Sequence, residues 1–266
     1  MFPAQTDPAA TLTVARHLGY LTVVAAAGCL LWYLRQYARR ILASPYRERW
    51  RYLAVGVGAA VVYGLAGIAE TAGVAPAGSF RRGATLFVFL FAAIGVRAIH
   101  RSVGGPSLVG DDTLQWVGPT VVAGFVAAWW LVYLFASATA VAALEVVGLL
   151  LATAYTLYHA VGTVRTEEGT SIAAFTRQFT PALLAFAAVA VADHIVALSL
   201  PGESLADGFA LVGTALAGAF LFTTAVAVRQ QGGEIQRLYD PTTWRRAHDD
   251  GTTPRERPTE ERPADD

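Results

Sequence analysis

The sequence predicts an all-α fold, a seven-helix bundle of the multi-pass integral membrane kind, and three observations carry that reading. Apolar residues make up 55% of the 266-residue chain and charged residues only 15%, whereas a soluble domain has about 25% charged. The charges gather in short clusters between long uncharged stretches, most of them near the roughly 20 residues a helix needs to cross hydrocarbon. All 20 basic residues are Arg, and alternating spans sort them strongly to one side.

Taken in order, the spans fall at roughly 17–35, 52–73, 83–100, 114–135, 138–160, 179–200 and 206–228. The first follows a short outer N-terminal segment, 1–16, and ends in "LRQYARR". The third is the shortest, with 14 uncharged residues between Arg82 and Arg97, or about 21 Å of helix against a core of about 30 Å. The fourth and fifth share a stretch from Asp112 to Arg165 whose only ionisable acid or base groups are Glu145 and His159. It folds back about "FASATAV", a turn without Gly or Pro. Pro181 opens the sixth span, where a missing amide costs nothing. The seventh carries no charge between Asp207 and Arg229.

Cytoplasmic loops carry the excess of Arg in membrane proteins. With the N-terminus outside and the C-terminus cytoplasmic, 17 Arg lie inside and only Arg16, Arg81 and Arg82 lie outside. Deleting the third span worsens the sorting to 14 against 6. Trp32, Tyr33, Trp50 and Tyr52 then fall at the inner interface, and Trp129, Trp130 and Tyr133 near the outer one. Spans one to three and five to seven also superpose at an offset of about 121–128 residues. This is a 3+1+3 duplication in which both third members end in Arg ("GVRAIHR", "AVAVRQQ").

A single Cys, Cys29, excludes an internal disulfide and any Cys-based metal cluster. Its setting, "VAAAGCLLW", has Ala26 where a lipoprotein box has Leu, and apolar residues continue past it. Neither lipidation nor a cleaved signal peptide is expected. The Arg-only, Asp/Glu/Thr-rich aqueous segments have the composition of a GC-rich and halophilic source.

An ionisable group inside a span is costly and marks a functional site by default. The predicted topology puts Glu70, Glu145, Asp193 and His194 in the outer half of the membrane at similar depths. Gly56, Tyr63 and Glu70 share one face of span two, with Gly67 beside them. On span five, Glu145, Gly148, Ala152, Tyr155 and His159 follow steps of three and four, which reads as one wall of a polar path. On span three, His100 and Arg101 reach the inner headgroups, while Arg97 lies deep enough to pair with a buried carboxylate. Gly56, Ala60 and Gly64 form a small-residue ridge for close helix packing.

This cluster of ligand- or ion-binding candidates fits a polar pocket for a small ligand or a proton or cation pathway. With Glu145, Asp193 and His194 as donors it also fits a metal site. Seven spans, an outer N-terminus and this length resemble the microbial rhodopsins in topology. That family attaches retinal through a Lys of its last helix, and "LVGTALAGAFLFTTAVAV" contains no amine, so covalent retinal is excluded and the resemblance ends at helix count. No cofactor is otherwise indicated. G-x-S-x-G, H-E-x-x-H, P-loop and Asp-rich enzyme signatures are missing, so no catalytic residue is assigned. "SVGGPSLVG" reads as a loop.

The tail, 229–266, extends the last helix and then turns Pro-, Thr- and charge-rich, as disordered segments do. It is a candidate dock for a cytoplasmic partner, and nothing points to nucleic acid. The leading expectation is a sensor- or receptor-like protein of the cell membrane without its own output domain. The alternatives are a transporter or proton/cation conductor and a metal-assisted intramembrane enzyme.

Overall fold

The computed structural model describes residues 8–41, 44–102, 111–166, 168, 171–198 and 202–238. Among them the chain forms seven α-helices and no strand: α1 (Pro8–Ile41), α2 (Ser44–Thr71), α3 (Ala77–Ser102), α4 (Asp111–Phe135), α5 (Ala138–Thr166), α6 (Ser171–Ala197) and α7 (Glu203–Leu238). Six of these, all but α4, carry stretches of 22 to 28 residues that are long and apolar enough to cross a membrane. In α4 the apolar stretch is the shorter Ala123–Phe135. Leu134, Leu151 and Phe209 are each more than 60% exposed, which is a liability in water but natural against lipid tails. The chain is a multi-pass membrane protein.

The helices α1, α2, α3, α5, α6 and α7 close a ring in that order, with α3 also touching α6 across it and α4 set outside against α5. Helices α3 and α5 run parallel. The end of α3, at His100, lies against Gly162 and Thr163 near the end of α5, while Gly83 near the start of α3 faces Trp129 near the end of α4. Helix α4 therefore returns the chain from one end of the bundle to the other.

The third helix departs most from expectation. It begins at Ala77, six residues before the predicted start of its span, because the turn ahead of it is tight. Val74 N–H donates to Ala69 C=O at 3.0 Å and Gly73 N–H to Glu70 C=O at 3.0 Å, with Gly73 at φ +86°. This is a Schellman end, which needs a residue free to adopt positive φ. Pro76 follows and immediately precedes the next helix, its carbonyl accepting the Phe80 N–H at 3.3 Å. Arg81 and Arg82 thus lie within α3, whose apolar stretch is the most buried of the six.

Pro181 is also placed differently. It does not open the sixth helix but lies ten residues beyond its start at Ser171. The preceding segment buries Ala173, Phe175 and Phe179, with Phe175 against Trp50 at 4.9 Å, so packing carries the helix through the proline. Close to the break, Thr224 Oγ1 of α7 shares its proton between its own Phe220 carbonyl at 2.7 Å and the Gln178 carbonyl at 3.1 Å. Hydroxyls that re-satisfy loosened carbonyls are what makes a proline tolerable in a membrane helix. The α4–α5 turn, lacking Gly and Pro, is fixed by a cap: Ser137 Oγ accepts the Ala140 N–H at 3.3 Å.

The small-residue ridge of α2 divides between two neighbours. A Cβ at Gly64 would lie 2.6 Å from Val24 Cγ2 and 2.9 Å from the Tyr20 carbonyl of α1. One at Gly56 would lie 3.4 Å from backbone atoms of Ala92 and Val88 on α3. Gly64→Leu is expected to lower stability by about 1–3 kcal/mol, the usual cost of overpacking. Thermal unfolding in detergent checks this, and an unchanged midpoint would contradict so close a seam.

Candidate functional site

Polar side chains converge at the end of the bundle where α3, α5 and α7 begin and α2, α4 and α6 finish. At its centre is Arg81, 8% exposed. Its Nε donates to Glu70 Oε2 at 2.5 Å, and its Nη1 donates to Asp193 Oδ2. The guanidinium also lies 5.9 Å from the ring centroids of both Tyr20 and Tyr63. One side chain of α3 therefore ties together α1, α2 and α6. Tyr63 is fully buried, and its hydroxyl lies 3.3 Å from Thr214 Oγ1 on α7. Thr214 spends its own proton on the Ala210 carbonyl at 2.7 Å, so Tyr63 is the donor of the pair.

A second group adjoins the first through neighbouring residues of α6. His194 Nε2 lies 3.0 Å from Glu145 Oε2, and Nδ1 lies 2.5 Å from the Ala190 carbonyl. Trp129 Nε1 donates to Glu145 Oε1 at 3.0 Å. Both nitrogens of the imidazole face acceptors, the arrangement in which an imidazolium donates at each end. Glu145 and His194 are both buried.

Above these groups opens a cleft of about 430 Å³. Thr13, Arg16 and Tyr20 of α1 line it with Glu70 and Thr71 of α2, Arg81 and Arg82 of α3, Asp193 of α6, and Asp207 and Thr214 of α7. Arg16 and Asp207 pair across it at 2.9 Å, both partly exposed. Tyr63 joins this lining to the buried rings of the bundle, lying beside Arg81 and Thr214. Tyr63, Phe89 and Phe186 are almost wholly buried, and Tyr63 meets Phe186 edge-on at 5.3 Å.

The structure thus gathers Glu70, Tyr63, Asp193, Glu145 and His194 at one end. Tyr155, His159 and Arg97 lie elsewhere. His159 is 14 residues beyond Glu145 on α5, or about 21 Å, and its ring packs against Tyr155 at 4.5 Å and His100 at 5.2 Å. Arg97 is half-buried near the same far end, one turn from His100.

Two expectations need correction. His100 does not reach for the headgroups: it is 2% exposed, because Gly162 leaves room for its ring against the α5 backbone. The polar wall of α5 is not continuous either. Gly148 faces Phe125 of α4, and the buried stripe between Glu145 and His159 runs through Leu149 and Thr156 instead. Leu149 interrupts the path.

The sequence reading missed Arg81, placing it in an outer loop, and assigned Trp129 to the interface alone. The available signal was Gly73 followed by Pro76, which starts α3 early enough to put Arg81 one turn into the helix. Among the described residues, no three His, Cys, Asp or Glu side chains are grouped so as to hold a metal ion. Compared with protein-family models, curated proteins and solved structures, the chain matches none.

Breaking a buried pair leaves an uncompensated charge and costs about 3–5 kcal/mol, against at most about 1 kcal/mol for an exposed one. Arg81→Met should therefore be strongly destabilising. Its damage should trace to Asp193, whose side chain is 12% exposed, more than to Glu70 at 39%. The double variant Arg81→Met/Asp193→Leu should regain most of the loss in thermal unfolding, and Arg81→Met/Glu70→Leu much less. Equal rescue by both would overturn this ranking.

Proposed function

We propose that the chain is a sensor- or receptor-like protein of the cell membrane, with seven spans, that takes a small polar ligand into the cleft at its outer end. One observation carries the reading: polar side chains from five helices line the cleft, and Tyr63, which touches that lining at Arg81 and Thr214, is fully buried against Phe186. A site lined by five helices is suited to sensing, because a ligand there acts directly on the pairings that set how those helices sit together.

The seven-span topology draws support from the parallel run of α3 and α5, which requires α4 to recross the bilayer between them. The orientation rests on arginines: Arg35, Arg51, Arg97, Arg165, Arg177 and Arg229 lie toward the end opposite the cleft, and the Arg-rich end is cytoplasmic. The 3+1+3 duplication fits the ring order. A half-turn carries α1, α2 and α3 onto the places of α5, α6 and α7, leaving α4 as the connector. The tail beyond Leu238 lies outside the described residues, and its role in docking a cytoplasmic partner is part of this proposal.

Transport is the runner-up, favoured by a further buried polar group, His100, His159 and Thr163, at the opposite end. In proteoliposomes the receptor reading expects no proton or cation flux above that of empty vesicles. Uptake abolished by Glu145→Gln would sink it and establish the transporter. Tags at the two chain ends should react from opposite sides of the membrane, and same-side labelling would contradict seven spans.

A further inference from the structure

Arg82 supplies the chemistry of the ligand. It stands beside Arg81 on α3, and both line the cleft. The other charged groups of the cleft pair among themselves, Arg16 with Asp207 and Arg81 with both Glu70 and Asp193. Among the described residues Arg82 forms no ion pair, and its Nε is buried without a hydrogen-bond partner. Glu145, which feels the Arg82 charge, has one oxygen on Trp129 and the other on His194. The Nε of Arg82 thus has no acceptor, and the natural complement of a guanidinium with an unmet N–H is a carboxylate.

The charge balance points to the other half of the ligand. Two carboxylates share Arg81, so that triad carries one negative charge in excess, and Arg82 next to it carries one positive charge. The cleft as a whole balances three Arg against three carboxylates. A ligand of net charge would leave one of these groups without a counter-charge. A molecule with both charges satisfies each subsite.

Given the reading of the cleft as a ligand site, on which this rests, we infer that it takes a small zwitterion of the amino-acid or betaine type. The carboxylate lies on Arg82 and the ammonium lies against the Glu70–Asp193 pair. A space of about 430 Å³ is in the range of small-molecule pockets, about 300–1,000 Å³.

The test is isothermal titration of the full chain in nanodiscs with three zwitterions (alanine, glutamine and glycine betaine) and two half-ligands (propionate and ethylamine). At least one zwitterion should bind, roughly tenfold or more tighter than either half-ligand, and Arg82→Gln should weaken it roughly 10–100-fold. Arg82→Lys, which keeps the charge but not the fork, should fall between. If the Gln variant does not fold, the Lys variant carries the comparison. The inference is overturned if no zwitterion binds, if propionate binds as tightly, or if the Arg82 variants match the unaltered chain. Binding of glucose or glycerol in place of every zwitterion would overturn it while leaving a ligand cleft. Flux of a bound zwitterion into proteoliposomes would instead sink the receptor reading and leave the site standing.

Discussion

The arrangement of this bundle depends on keeping one guanidinium out of lipid. A charged side chain at the centre of a membrane helix costs about 2.5–3.5 kcal/mol even by lenient insertion scales, and Arg81 is held within a span. The cost is tolerable only where carboxylates meet it, so α3 must face inward between α2 and α6, which supply Glu70 and Asp193. That requirement explains why α3, whose uncharged run between Arg82 and Arg97 is only 14 residues, is the most buried of the six apolar stretches. It also explains why α4, whose described side chains bring no charge to the interior, is the helix left outside the ring.

Much of the fold was legible because membrane helices obey simple rules of length and hydropathy. Glu70, Glu145, Asp193 and His194 stood out for the same reason, as polar interruptions of apolar stretches. What could not be read was the pairing among them. Helical spacing fixes which residues share a face, but not the rotation of that face about its axis. On α5 a modest rotation brings Leu149 and Thr156 inward in place of Gly148. Arg81 was hidden by a boundary: two residues before the expected helix start it reads as loop, and four residues past the actual start at Ala77 it is interior. His100 was hidden by a glycine 62 residues away in sequence, Gly162, which no local pattern connects to it.

The two polar groups of the bundle are separated by a dry middle. At one end charges pair across helices under an open cleft, while at the other His159 packs against His100 and meets Tyr155 and Tyr158 edge-on. Between them Phe89, Leu149 and Phe186 pack as a soluble core would. Such a core transmits displacement well, since close-packed side chains are bistable rather than compressible. A change of pairing around Arg81 would shift α2, α3 and α6 together.

The two partners of Arg81 are unequal in one more respect: Glu70 lies 11 positions away in the chain and Asp193 lies 112. A ribosome delivers residues in order, so the α2–α3 hairpin reaches the translocon with its arginine already neutralised by a carboxylate of its own. It can partition into lipid as a self-contained unit and wait. The later arrival of α6 then locks an inserted hairpin into a ring, which makes the acid nearer in sequence the one that serves biogenesis and the distant one the clasp of the finished protein.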